Sequence, residues 1–126
     1  MSKEYSRTQR LNQLLKEEIS LLIRCEVKDS RVGSVTVTAV EVSPDLKVGK
    51  VYFQASGDEG RKAEALKGLV SAAGFIRTRL GRELRIRRVP ELRFIMDRTQ
   101  ERAARITQLL GEVREDTEAD GGEDGE

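Results

Sequence analysis

Histidine and tryptophan are absent from these 126 residues, and cysteine occurs once, as Cys25. Without histidine, the usual Ser-His-Asp and Cys-His catalytic pairs and the histidine-bearing zinc sites are excluded. A lone thiol cannot close an internal disulfide, which fits a reducing compartment. Aromatics are limited to Tyr5, Tyr52, Phe53, Phe75 and Phe94, so the core must be built mainly from Leu, Ile, Val and Ala. No apolar run approaches the roughly 20 residues of a membrane span. The opening residues Met1-Ser2-Lys3-Glu4-Tyr5 carry no apolar signal core. No Gly-x-x-x-x-Gly-Lys-Ser/Thr phosphate loop occurs. These absences predict a cytoplasmic, non-enzymatic chain with no cofactor, no metal, no small-molecule substrate and no membrane partner.

What is present is charge, unevenly placed. The formal net charge is +1, yet residues 112 to 126 contain eight Asp or Glu and one Arg, a balance of −7. Subtracting −7 from +1 leaves +8 on residues 1 to 111. A basic body attracts polyanions, nucleic acid foremost. Acidity and glycine predict a disordered tail over residues 115–126. Residues 1–114 then form one domain, and nothing demands more than a monomer.

The apolar spacing predicts an α+β fold. Leu11, Leu14, Leu15, Ile19, Leu22 and Ile23 recur at helical intervals, with Ser6 as N-cap of a helix from about Arg7 to Glu26. Val35 to Val42 and Gly49 to Ala55 read as two strands, joined at Ser43-Pro44-Asp45-Leu46 as an antiparallel hairpin. After a loop at Ser56-Gly57-Asp58-Glu59-Gly60, a second helical stripe runs through Leu66, Leu69, Val70, Ala73, Ile76, Leu80 and Leu84. Pro90 starts a third strand, with Leu92, Phe94 and Met96 on one face. Thr99 caps a last helix from about Gln100 to Arg114, with Ala103, Ile106, Leu109 and Leu110 facing inward. The order α-β-β-α-β suits a three-stranded sheet with helices on one face.

The second long helix holds the candidate site. Glycine inside a helix costs roughly 1 kcal/mol relative to alanine, so Ala72-Ala73-Gly74 predicts a break or kink. Small side chains there also let a phosphate backbone come close. Arg77, Arg79, Arg82, Arg85, Arg87 and Arg88 follow at once. Arg79, Arg82 and Arg85 share a broad helical face, and arginine suits phosphate recognition. Lys3, Arg7 and Arg10 form a smaller patch at the start of the first helix, where cations gain nothing from the helix dipole. Gly57-Asp58-Glu59-Gly60 fits the Gly-x-x-Gly backbone clamp. However, it follows a strand, and its two acids would repel phosphate. No strand presents a set of exposed aromatics for base stacking.

The motifs, in this order and spacing, resemble one family. They are Lys28-Asp29-Ser30-Arg31, Val40-Glu41-Val42-Ser43-Pro44-Asp45-Leu46, Lys50-Val51-Tyr52, Ala73-Gly74-Phe75-Ile76-Arg77, Leu80, Arg88-Val89-Pro90-Glu91-Leu92-Arg93-Phe94 and Asp97. Together they span Arg7 to about Leu110 and resemble bacterial ribosome-binding factor A, a type II KH-like domain. The resemblance implies binding to the small (30S) ribosomal subunit and its 16S rRNA during late maturation and rRNA processing, with a role in the cold. It also implies that Ala72-Ala73-Gly74 replaces the usual Gly-x-x-Gly loop with an Ala-x-Gly kink. Ser30 departs from the family's frequent Asp-Pro-Arg, which puts the rigidity of that turn in question. The residues alone leave two alternatives open, a general RNA-binding KH-like module and a protein-interaction adaptor.

Overall fold

The computed structural model describes the backbone of residues 3–120 and the side chains of residues 7–111. Helix α1 spans Lys3–Cys25, strand β1 Thr36–Val42, β2 Val48–Gln54, α2 Glu59–Leu84, β3 Glu91–Met96 and α3 Thr99–Asp120. A single 3-10 turn, Ser30–Val32, follows α1. The helix α1 starts earlier than expected, so Ser6 lies inside it and is not its N-cap.

The sheet order is β1-β2-β3. As expected, β1 and β2 pair antiparallel, with a register shift between Val37 and Ala39. Strand β3 pairs parallel to β2, from Val48 opposite Glu91 to Phe53 opposite Met96. A parallel return needs a crossover, and α2 supplies it.

The core lies between the sheet and the helices. Leu15 and Ile19 of α1, Val51 and Phe53 of β2, and Leu69, Ile76 and Leu80 of α2 are fully buried. Leu92 is buried on β3, with Phe94 and Met96 packed beside it. In the stripes of α1 and α2, two members are on the outside: Leu14 is 43% exposed and Val70 60%. Each stands next to a fully buried leucine, and a narrow helical stripe has no room for both.

The Gly57 to Gly60 segment is the start of α2 rather than a free loop. Asp58 is the N-cap, its carboxylate accepting from the Arg61 amide at 2.9 Å. A carboxylate there satisfies an unpaired N–H and complements the helix dipole.

The turn between α1 and β1 is closed without proline. Asp29 accepts from the Arg31 amide at 2.9 Å and from its guanidinium at 2.6 Å. The Arg31 hydrogen bond holds the Asp29 carboxyl down to about 2. Gly68 of α2 lies directly beneath this turn, and a Cβ on it would fall 2.9 Å from a Val32 methyl and 3.2 Å from the Arg31 Cβ. Glycine at 68 therefore allows the turn to touch the helix.

Helix α3 departs most from expectation. It reaches Asp120 rather than ending near Arg114, so the acidic segment is helical as far as the described residues go. Residues 121–126 of the expected disordered tail lie outside them. Glu112, Arg114, Glu115, Glu118 and Ala119 are good helix formers, which offsets the acidity. Nor does α3 pack inward. Every residue from Thr99 to Leu110 is exposed. Its base is held by polar ties. The Asp97 carboxylate, not Thr99, caps it, accepting from the Thr99 amide at 2.9 Å and from the Thr38 hydroxyl at 2.8 Å. Arg98 pairs with Glu59 at 2.8 Å, and Lys62 with Glu101 at 2.7 Å.

These ties predict an acid response. The Thr99 hydrogen bond, with help from Thr38, lowers the Asp97 carboxyl below its usual value. A carboxyl lowered by folding stabilises fully above its unfolded value, near 4, and that stability is lost as pH falls through the lower folded value. Acid titration followed by amide NMR should show Thr99 losing its hydrogen-bonded shift below about pH 4, with the β2 amides unchanged. Asp97→Asn should show the weakened α3 base already at neutral pH. A Thr99 amide indifferent to both would refute this anchor.

Candidate nucleic-acid interface

Helix α2 is one unbroken helix through Ala72-Ala73-Gly74. The expected break is not there, because burial on both sides outweighs the cost of one glycine. Leu69, Ile76 and Leu80 flank Gly74 and are all fully buried, and each contributes roughly 1.5–3 kcal/mol.

What Gly74 does instead is leave the surface bare. A helix turns about 100° per residue, which sets Gly74 away from the buried Leu69–Ile76–Leu80 side. A Cβ built on Gly74 meets nothing within 4 Å. The fold therefore does not need a glycine at this place. Ala72 and Ala73 are half-buried, and Ala72 packs against the core. Ser71 and Thr78 border Gly74 on the outward face, and the Thr78 hydroxyl donates to the Gly74 carbonyl at 3.0 Å. The result is a strip of α2 left bare at Gly74, near the exposed Val70 and Phe75.

The six arginines divide into two groups. Two are tied to other parts of the fold. Arg77 donates to the Val89 carbonyl at 2.8 Å and the Pro90 carbonyl at 3.1 Å, fastening α2 to the segment that opens β3. Arg79 turns toward α1, where it pairs with Glu26 at 3.3 Å and sits 5.6 Å from the centre of the Phe75 ring. Its Nε is buried without a hydrogen-bond partner among the described residues. The shared face expected for Arg79, Arg82 and Arg85 is thus not realised, since Arg79 is drawn to the opposing carboxylate.

The other four are free. Arg82, Arg85, Arg87 and Arg88 are exposed, and among the described residues none has a hydrogen bond or ion pair. Arg82 lies in the last turn of α2. Arg85 caps it at φ 54°, ψ 38°, a left-handed conformation that turns the chain out of the helix and sends Arg87 and Arg88 into the connection to β3.

The fold gathers more cations at that end of the sheet. Glu91, at the start of β3, donates its amide to the Lys47 carbonyl in the hairpin turn. The Asn12 side chain accepts from the Val42 amide at 2.9 Å and brings α1 there too. Arg10 and Arg7, both exposed, lie a turn or so before Asn12. The side chain of Lys3 lies outside the described residues. A cleft here is lined by Thr8, Gln9, Asn12, Pro44, Lys50 and Arg93. Lys50 and Arg93 are neighbours across the outer sheet face. Nothing in the sequence marks them as part of the patch, since only strand pairing places them side by side.

Arg77→Ala is expected to lower stability by about 1 kcal/mol, a typical value for lost hydrogen bonds partly open to water. Urea unfolding would read this, and Arg87→Ala, with no partner to lose, should leave the midpoint in place. Equal midpoints for both would disprove the fastening role.

An α-β-β-α-β body, with four arginines unpaired among the described residues at one helix end, has the architecture of a KH-like domain. The chain belongs to the ribosome-binding factor A family, whose model matches residues 7–110. It is 48% identical over 117 residues to ribosome-binding factor A of Azoarcus sp. strain BH72, covering 92% of this chain and 93% of that one. The crystal structure of ribosome-binding factor A from Thermus thermophilus is 32% identical and superposes with a TM-score of 0.64, covering 71% of this chain and 94% of that one. Thermus thermophilus ribosome-binding factor A coordinates fitted into the cryo-EM map of a 30S complex of that factor are 34% identical. They superpose with a TM-score of 0.57, covering 69% of this chain and 91% of that one.

Proposed function

We propose that this chain is a non-enzymatic ribosome assembly factor. It binds the small subunit and its 16S rRNA during late maturation, acts in rRNA processing in the cytoplasm, and matters most in the cold. Family membership supports the subunit, as does the fitting of the Thermus thermophilus relative into a 30S complex. The observation that carries the RNA contact is the set of four exposed arginines without a partner among the described residues, Arg82, Arg85, Arg87 and Arg88, following the bare backbone at Gly74. Phosphate attraction supplies the affinity, and rRNA shape supplies the placement. Arg7, Arg10 and Lys3 add to the same field. Ala72 and Ala73 keep the strip low, while Arg77 and Arg79 shape it without giving up their own partners.

Binding to purified small subunits should exceed binding to a generic structured RNA of similar length at matched salt. Equal affinity for both would reduce the chain to a general RNA-binding module. Retention of the complex after nuclease treatment would favour a protein adaptor.

A further inference from the structure

The RNA-binding reading leaves α3 without a role. The helix is about 33 Å long at about 1.5 Å per residue, and among the described residues it makes no extensive contact with any other element. Ile106, Leu109 and Leu110 are 58%, 54% and 61% exposed. At three- and four-residue spacing they form one stripe together with Ala103. A stripe of this kind on a helix is the form in which helices are read by protein grooves.

We propose that α3 is a docking arm for a basic protein segment of the small subunit. This rests on the small-subunit reading above. Two features choose a protein over RNA. The apolar stripe offers phosphate no donor. Residues 112 to 120, the last stretch of α3, hold five Asp or Glu against one Arg, a balance of −4, and would repel a nucleic-acid backbone. The same charge attracts lysine- and arginine-rich protein, and the stripe gives that segment an apolar seat. Placement agrees. The arm leaves the sheet at the end of β3, whereas Arg87 and Arg88 precede its start. One end of the domain is thus suited to RNA and the other to protein. Arg102 and Arg105 dilute the acidity of the first half of α3, so the acidic contact belongs to the second.

The test uses the full chain and purified, salt-washed small subunits. Ile106→Ser with Leu109→Ser and Leu110→Ser should weaken binding roughly 10- to 100-fold, as loss of apolar anchors does, and leave the salt dependence unchanged. Neutralising the second half, by Glu112→Gln, Glu115→Gln, Asp116→Asn and Glu118→Gln, should also weaken it. A photoreactive benzoylphenylalanine at position 109 should crosslink to a Lys/Arg-rich protein segment identified by mass spectrometry. Unchanged affinity in the serine variant overturns the proposal. So does tighter binding in the neutralised variant, which would mean the acids merely repel rRNA. Crosslinks to rRNA, or to a second copy of this chain, overturn it as well. If the unaltered chain does not bind small subunits, the small-subunit reading falls and the arm with it. If it binds and the serine variant binds equally, the arm alone falls.

Discussion

Reversing Arg82, Arg85, Arg87 and Arg88 to glutamate should abolish co-sedimentation with small ribosomal subunits at physiological salt, a loss of about 1,000-fold or more. These arginines have no partner among the described residues, so the melting temperature should hold. The milder change of all four to alanine should lower the slope of log affinity against log salt by about 3, near 0.7–0.9 for each phosphate no longer neutralised. Arg79→Glu should behave in the opposite way. Its guanidinium is tied to Glu26 and set against Phe75, so the reversal places two carboxylates together at the α1–α2 contact. It should destabilise the fold before it reports on RNA. Unchanged binding in the fourfold glutamate variant would remove this surface from the interface.

Gly68→Val and Gly74→Ala should move stability in opposite directions. A side chain at 68 must push into the buried Val32, whose methyl stands 2.9 Å from the new Cβ, and into the turn at Arg31. Overpacking of this kind costs about 1–3 kcal/mol, and a β-branched residue belongs at the upper end. Native domains hold only about 5–15 kcal/mol in total, so Gly68→Val removes a large share. At 74 the Cβ meets open space, and alanine should stabilise the helix by about 1 kcal/mol. That raises the melting temperature by about 4 °C for a domain of this size. The same substitution raises the strip that a phosphate backbone would approach, so affinity for small subunits should drop as stability rises. Thermal melts with binding curves on the two variants decide the matter. A Gly74→Ala variant that is more stable and binds as well as the original would leave this glycine without a function.

The two glycines show how far local sequence reaches. Both lie within one helix, and both carry the same propensity cost. Nothing in their neighbours says that 68 is needed for packing and 74 is not. The turn pressing on Gly68 comes from residues 29 to 32, far away in the chain, and only the folded arrangement brings it there. The arginines teach the same lesson. Six in close succession look alike as a run of charge. Glu26 and the carbonyls of Val89 and Pro90 remove two of them, although these partners stand 12 to 53 residues away in the chain.

Composition and period were enough for much else. The absence of histidine and the segregation of charge set the class of protein to look for. Period-2 and period-3.6 patterns placed three strands and three helices close to where they lie, because residues two apart on a strand and three or four apart on a helix must share a face. These are local constraints, settled within a few residues. The parallel pairing of β3 with β2, the exposure of α3 and the meeting of Lys50 with Arg93 are not local. Each depends on which surfaces find each other once the chain has folded. An apolar stripe such as Ile106-Leu109-Leu110 says that a helix has something to cover. Only the tertiary structure shows that, among the described residues, this chain does not cover it itself.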